Sequence, residues 1–150
     1  MHNEHHLVLF VGQAPGRPWP ADTVRATTQR SSDRLAGIVG LTKNELFARA
    51  VWVNLLPKFP GKHGAGDAFP LPAARRAAAA LPLAPTTILL GSNVARAFSL
   101  PSALFCWHAV RGCRLAVVPH PSGISRAWND ARLVARARAF LRQALGIPAE

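Results

Sequence analysis

The segment Val118–Asn129, V-P-H-P-S-G-I-S-R-A-W-N, concentrates side chains that can do chemistry. His120 carries an imidazole able to give or take a proton, and Ser122 and Ser125 carry hydroxyl donors. The apolar run Leu115–Val118 precedes them. His120 and Pro121 therefore sit where a strand hands over to a loop, a common place for a catalytic or ligand-contacting residue. The other end of the chain repeats this arrangement, with Leu7–Val11 running into G-Q-A-P-G-R at Gly12–Arg17. Asn54, which ends the run Ala50–Leu55, offers a donor and an acceptor through one amide.

These positions need elements to carry them. The pattern predicts strands at Leu7–Val11, Ala50–Leu55 (ending at Asn54), Thr86–Leu90, Phe105–Val110 and Arg114–Val118, the last two around a turn at Arg111-Gly112. Ser31 or Ser32 is expected to cap a helix reaching Val39, and Thr42-Lys-Asn-Glu45 has the spacing of a capping box. An Ala/Arg helix is expected over Pro72–Leu81, another from Gly91-Ser92-Asn93 through Phe98. The last, Asp130–Leu145, places Val134, Ala137, Leu141 and Leu145 on one stripe. Gly12–Arg30 and Pro57–Pro70 read as loops, broken by proline. Strands alternating with helices imply a mostly parallel sheet covered on both faces. In such sheets the ligand crevice lies beyond the carboxyl ends of the strands. Gly12–Arg17, Asn54–Lys62, Gly91–Asn93 and His120–Arg126 would all converge there.

A chain of 150 residues fits one domain that buries about two-thirds of its unfolded surface. Eighteen basic residues, fifteen of them Arg, face seven acidic ones, a net charge of +11. That excess favours a polyanionic partner, nucleic acid first; Arg and Ala enrichment from a high-GC genome would also produce it. No apolar run approaches the roughly 20 residues of a membrane span, and the start lacks a secretory layout, so a cytoplasmic, nucleoid-associated protein is expected. Cys106 and Cys113 flank the Arg111-Gly112 turn and are read as reduced thiols. Two cysteines are too few for a four-thiolate iron–sulfur cluster. His2, His5 and His6 lack a framework of other ligands, so no metal is expected, and no nucleotide-binding Gly-x-x-x-x-Gly-Lys loop occurs.

Taken in order, the four loops resemble the uracil-DNA glycosylase superfamily over Leu7–Asn129. G-Q-A-P-G (Gly12–Gly16) looks like its first motif, and N-L-L-P-K-F-P-G-K (Asn54–Lys62) is similar to its base-reading Asn with a basic, Pro-rich segment. I-L-L-G-S-N (Ile88–Asn93) resembles its Gly-Ser phosphate loop, and H-P-S-G (His120–Gly123) its second catalytic motif. The length and the G-x-A-P-G form look closest to the short bacterial and archaeal branches, a bacterial or phage-like source, although this chain lacks their usual four-Cys cluster. The resemblance implies a three-layer α/β/α sandwich around a mostly parallel sheet of four to five strands. It also implies a monofunctional DNA glycosylase of base excision repair, acting as a monomer on single- or double-stranded DNA. No cofactor, membrane or obligate protein partner is implied, and no Lys sits in the Gly12–Gly16, Ile88–Asn93 or His120–Gly123 motifs to form a Schiff base.

By this resemblance His120 donates to the departing base as charge develops on its oxygen. Asn54 reads the Watson–Crick edge of uracil or a related oxo-base; an Asn ending a strand by a side-chain turn is the plainer alternative. Gly12, Gln13 and Ala14 line the base site, Gln13 through its backbone N–H or by holding a water. Trp19 stacks on the flipped base or plugs the core edge, with Phe59 second choice. Arg17, Lys58, Lys62, Gly91, Ser92, Ser122, Gly123, Ser125 and Arg126 meet DNA, and Ile124 or Arg126 fills the vacated stack. Arg132, Arg136, Arg138 and Arg142 read as a solvated face or a weak electrostatic apron. The first motif departs from the family by lacking an acid at Gln13 and Ala14, which leaves Asp22 or Asn54 to position the water. Three other readings remain: a DNA- or damaged-base-binding module without activity, a glycosylase for hypoxanthine, xanthine or mismatched thymine, and a small nucleotide or nucleoside hydrolase, against which the charge of +11 argues.

Overall fold

Three runs without polar alternation set the centre of the fold, because a parallel strand covered on both faces has no solvent side. The computed structural model describes residues 7–15, 29–58, 61–63, 66–67, 69–121 and 126–148. In chain order the elements are β1 (Val8–Gly12), α1 (Gln29–Val39), α2 (Lys43–Phe47), β2 (Ala50–Asn54), β3 (Lys62–His63), β4 (Gly66–Asp67) and α3 (Leu71–Ala80). Then follow β5 (Thr86–Leu90), α4 (Ser92–Ala97), β6 (His108–Val110), β7 (Cys113–Val118), a 3-10 turn (Arg126–Asn129) and α5 (Ala131–Ala144). The main sheet has the order β2-β1-β5-β7-β6. β1 runs parallel to β2 and β5, β5 parallel to β7, and β6 closes one edge antiparallel to β7. The register sets Gly12 beside Asn54 and Leu90 beside Val118, so four carboxyl ends line one edge of the sheet.

Alternate residues of these strands face opposite layers, as the two-residue period requires. Phe10, Ile88, Leu90 and Val118 pack with Leu35 and Val39 of α1, Leu46 of α2 and Leu141 of α5. Leu9, Val11, Leu89 and Val117 pack with Ala74 and Ala78 of α3 and Val94 and Ala95 of α4. The result is an α/β/α sandwich with a five-stranded, mostly parallel sheet. Each fully buried Leu contributes about 2–3 kcal/mol by leaving water.

Two helix starts follow the sequence. Thr42 and Glu45 form a reciprocal capping box, each side chain accepting from the other's backbone N–H at 3.1 Å. Asp130 caps α5 by accepting from Arg132 N at 2.9 Å. Elsewhere the structure departs from expectation. α1 begins at Gln29, so Ser31 and Ser32 lie inside it, and Ser32 is buried rather than capping. Serine's helix penalty is a fraction of a kcal/mol, less than the burial of Leu35 and Val39 returns. The segment expected as a loop over Pro57–Pro70 contains the antiparallel pair β3–β4. β6 starts at His108, not Phe105, because Phe105 has a left-handed φ of 58° that breaks the extended backbone. Arg111 and Gly112 both have positive φ, as a two-residue hairpin turn of the primed type demands. Cys113 lies opposite Val110, and both thiols are free.

Several arginines hold the fold together. Arg111 donates to the carbonyls of Ala78, Ala79 and Leu81 at 3.1, 2.6 and 3.0 Å, completing the end of α3. Arg142 donates to Val39 O at 2.9 Å and Pro148 O at 3.3 Å, tying α5 to the end of α1. The Arg138 guanidinium abuts Gly40, and Arg136 lies over the Phe105 ring at 5.0 Å. The α5 arginines therefore do not form one solvated face: Arg142 and Arg138 are half-buried staples, and Arg132 and Arg136 are exposed. Among the described residues no helix is long and apolar enough to cross a membrane.

Candidate functional site

Backbone bonds carry the β1–β2 pairing past both strand ends. Gly12 O accepts from Leu55 N and Gln13 O from Leu56 N, each at 3.0 Å. At this junction the missing side chain of Gly12 is decisive. A Cβ there would collide with Asn54 Oδ1 and stand 2.8 Å from Trp52 Nε1. The space is filled by a neighbouring strand: Trp52 Nε1 donates to Asn54 Oδ1 at 3.1 Å across the end of β1. Trp52 is half-buried and its ring lies 6.4 Å from that of Phe10. An indole N–H can only donate, so this bond fixes which end of the Asn54 amide faces Trp52.

The β1 and β5 ends are joined by side chains. Asn93, in the first turn of α4, donates from Nδ2 to Gln13 Oε1 at 3.3 Å. Ala14 turns its half-buried methyl into the apolar layer shared with α3 and α4. The β5 and β7 ends meet through Gly91 and His120. Gly91 N donates to Val118 O at 2.8 Å, and its φ of 98° with ψ of 166° falls in a region open essentially to glycine alone. A Cβ at Gly91 would come within 3.1 Å of His120 Cβ. His120 is half-buried, precedes a buried Pro121, and its carbonyl accepts from Trp128 Nε1 at 2.7 Å. Ser92 opens α4.

Gly12, Gln13, Asn54, Gly91, Ser92 and His120 thus stand at or just beyond strand ends joined pairwise at one end of the sheet. Lys58 is exposed four residues beyond Asn54, and Lys62 lies in the β3–β4 pair. Arg17, Trp19, Asp22, Phe59, Ser122, Gly123, Ile124 and Ser125, with the Arg126 side chain and the three N-terminal histidines, lie outside the described residues. Three described acids are engaged elsewhere: Asp33 pairs with Lys43 at 3.4 Å, Glu45 caps α2 and Asp130 caps α5. Among the described residues no group of three His, Cys, Asp or Glu could hold a metal ion.

Three partners escaped the sequence reading: Trp52 on Asn54, Asn93 on Gln13, and Trp128 on His120. Trp52 alone left a local signal. It stands two residues before Asn54 on a strand, hence on the same face. The amides of Asn54 and Gln13 and the imidazole of His120 are groups that can donate and accept hydrogen bonds. The family model described as Uracil DNA glycosylase superfamily matches residues 2–144. No curated protein matches the chain.

Proposed function

The chain belongs to the uracil-DNA glycosylase superfamily, and from that premise we propose that it removes uracil from DNA. Membership brings glycosylase-type hydrolysis, with DNA as the partner; the base and the residue roles are our reading. Water adds its oxygen to C1′ of the deoxyribose, the bond from C1′ to N1 of the base breaks, and the electron pair leaves on the uracil anion. The water's second proton ends on solvent or on the departing base, leaving an abasic site.

His120 donates to the base oxygen on which the charge grows, a contribution of several kcal/mol when the donor is preorganised. Asn54 reads the Watson–Crick edge, and the Gln13 backbone closes the pocket beside it. The observation that carries this reading is the joining of the Gly12–Gln13, Asn54, Gly91 and His120 loops at the carboxyl edge of a parallel sheet. With no acid in the first motif, the Gln13 amide anchored by Asn93 is the group we assign to the attacking water. Base stacking by Trp19 and duplex contacts by Arg17, Lys58, Lys62, Ser122, Gly123, Ser125 and Arg126 belong to the same proposal, as does action as a monomer.

The test is release of abasic sites from single- and double-stranded oligonucleotides containing one uracil. Wild type is expected to cleave, and His120→Ala and Asn54→Ala each to lose most of the rate. Wild type that binds the uracil oligonucleotide tightly without cutting it would overturn the reading in favour of a binding module.

A further inference from the structure

We propose that Trp52 is a positioning residue that sets which class of base the site accepts, by locking the orientation of the Asn54 amide; this rests on the reading of Asn54 as the base-contacting group. A terminal amide can turn over by half a rotation, exchanging its carbonyl oxygen for its NH2 group. The two orientations suit opposite ligands. Uracil presents an N–H donor at N3 beside a carbonyl acceptor at position 4. Cytosine presents an acceptor at N3 beside an amino donor. An Asn that turned freely would serve both.

Asn54 is not free to turn. Its Oδ1 accepts the Trp52 indole N–H at 3.1 Å. Turned over, it would set its own NH2 against a group that can only donate. The carbonyl keeps its second lone pair for a ligand N–H, and Nδ2 lies beside it as a donor. That ordered acceptor–donor pair matches any base carrying an N–H next to a carbonyl: uracil, thymine, hypoxanthine, xanthine or guanine. It refuses cytosine and adenine. Trp52 is itself fixed, with its ring against Phe10 and its indole over the end of β1, in room left by Gly12. An unpaired donor facing another donor in this half-buried setting is costly enough to shift a preference by about tenfold.

The experiment measures affinity for oligonucleotides holding 2′-fluoro-deoxyuridine or 2′-fluoro-deoxycytidine, which resist cleavage, using wild type, Trp52→Phe and Asn54→Ala. Trp52→Phe keeps an aromatic ring on Phe10 but removes the N–H. The expected result is a uridine preference in wild type that drops at least tenfold in Trp52→Phe. Loss of packing alone would lower both affinities together and leave their ratio intact. Should Trp52→Phe keep the wild-type ratio while Asn54→Ala loses it, the lock is refuted and base reading by Asn54 stands. A wild type without preference would refute both. Independently of whether Trp52→Phe folds, the Trp52 indole proton resonance is expected to move upfield in Asn54→Ala; an unmoved resonance would overturn the lock.

Discussion

Gly12→Ala adds one methyl group where β1 ends. Its Cβ would collide with Asn54 Oδ1 and stand 2.8 Å from Trp52 Nε1 and 3.3 Å from Cε2. Both neighbours are held: Trp52 is backed by Phe10, and the Asn54 amide accepts the Trp52 N–H. The methyl must displace the amide, and the Trp52–Asn54 hydrogen bond goes with it. Overpacking of this kind costs about 1–3 kcal/mol, and the lost bond adds about 1 kcal/mol. A loss of about 2–4 kcal/mol leaves a domain of ordinary stability folded. At about 2–4 °C per kcal/mol for a chain of this size, the unfolding midpoint falls by roughly 5–15 °C. Activity should fall as well although the chain stays folded, because a 1 Å displacement of a contact group costs on the order of a hundredfold in rate. Urea unfolding and single-turnover cleavage of a uracil oligonucleotide read the two effects. In an Asn54→Ala background the same substitution should cost at least about 0.5 kcal/mol less, since one obstacle is gone. Wild-type stability and rate in Gly12→Ala, or strict additivity in the double variant, would refute this account of the junction.

Arg142→Ala removes bonds to Val39 O and Pro148 O and should cost about 1.5–3 kcal/mol in thermal unfolding, while the salt dependence of DNA binding stays put. Arg126→Ala is expected to do the reverse, lowering duplex affinity and reducing the slope of log K against log salt by about 0.9, with base preference retained. Arg111→Ala strips three carbonyls at the end of α3 of their donor, and a lowered unfolding midpoint with faster amide exchange in that last turn is expected. The backbone N–H of Thr42, and then its side chain, hold the Glu45 carboxyl below its usual range. A carboxyl depressed in the folded state stabilises above its unfolded pKa, and that contribution fades as pH falls through the folded value. Acid titration of stability should therefore be shallower in Glu45→Gln than in wild type.

What the sequence disclosed is what local pattern can encode. Unbroken apolar runs marked β1, β5 and β7, and the spacing of Thr42 with Glu45 and the place of Asp130 marked two helix starts. The strand-end positions of Gly12, Asn54, Gly91 and His120 followed from the same runs. What stayed hidden depends on contacts between distant segments. Asn93 reaches Gln13 across 80 positions, and Arg142 reaches Val39 across 103. Arg142 reads as one more cation on a polar stripe until α1 is packed beside it. The start of α1 was missed because two serines imitate a cap when burial of the turn cannot be seen. The β3–β4 pair is too short for alternation to register.

Among the described residues β2 has one sheet neighbour, β1, and its Val51 is 44% exposed. The strand bearing Asn54 is therefore an outer one. It can leave by opening a single ladder, whereas β5 would have to break two. Local opening of this kind lies below the free energy of global unfolding. Amide exchange at Trp52 and Val53 should outpace that at Ile88 and Leu89, and each opening would carry the Asn54 amide away from Gly12. With Asn54 as the proposed reader, the frequency of this breathing would set how often the pocket stands without it, so conditions that loosen the outer strand should erode discrimination between bases well before they unfold the chain.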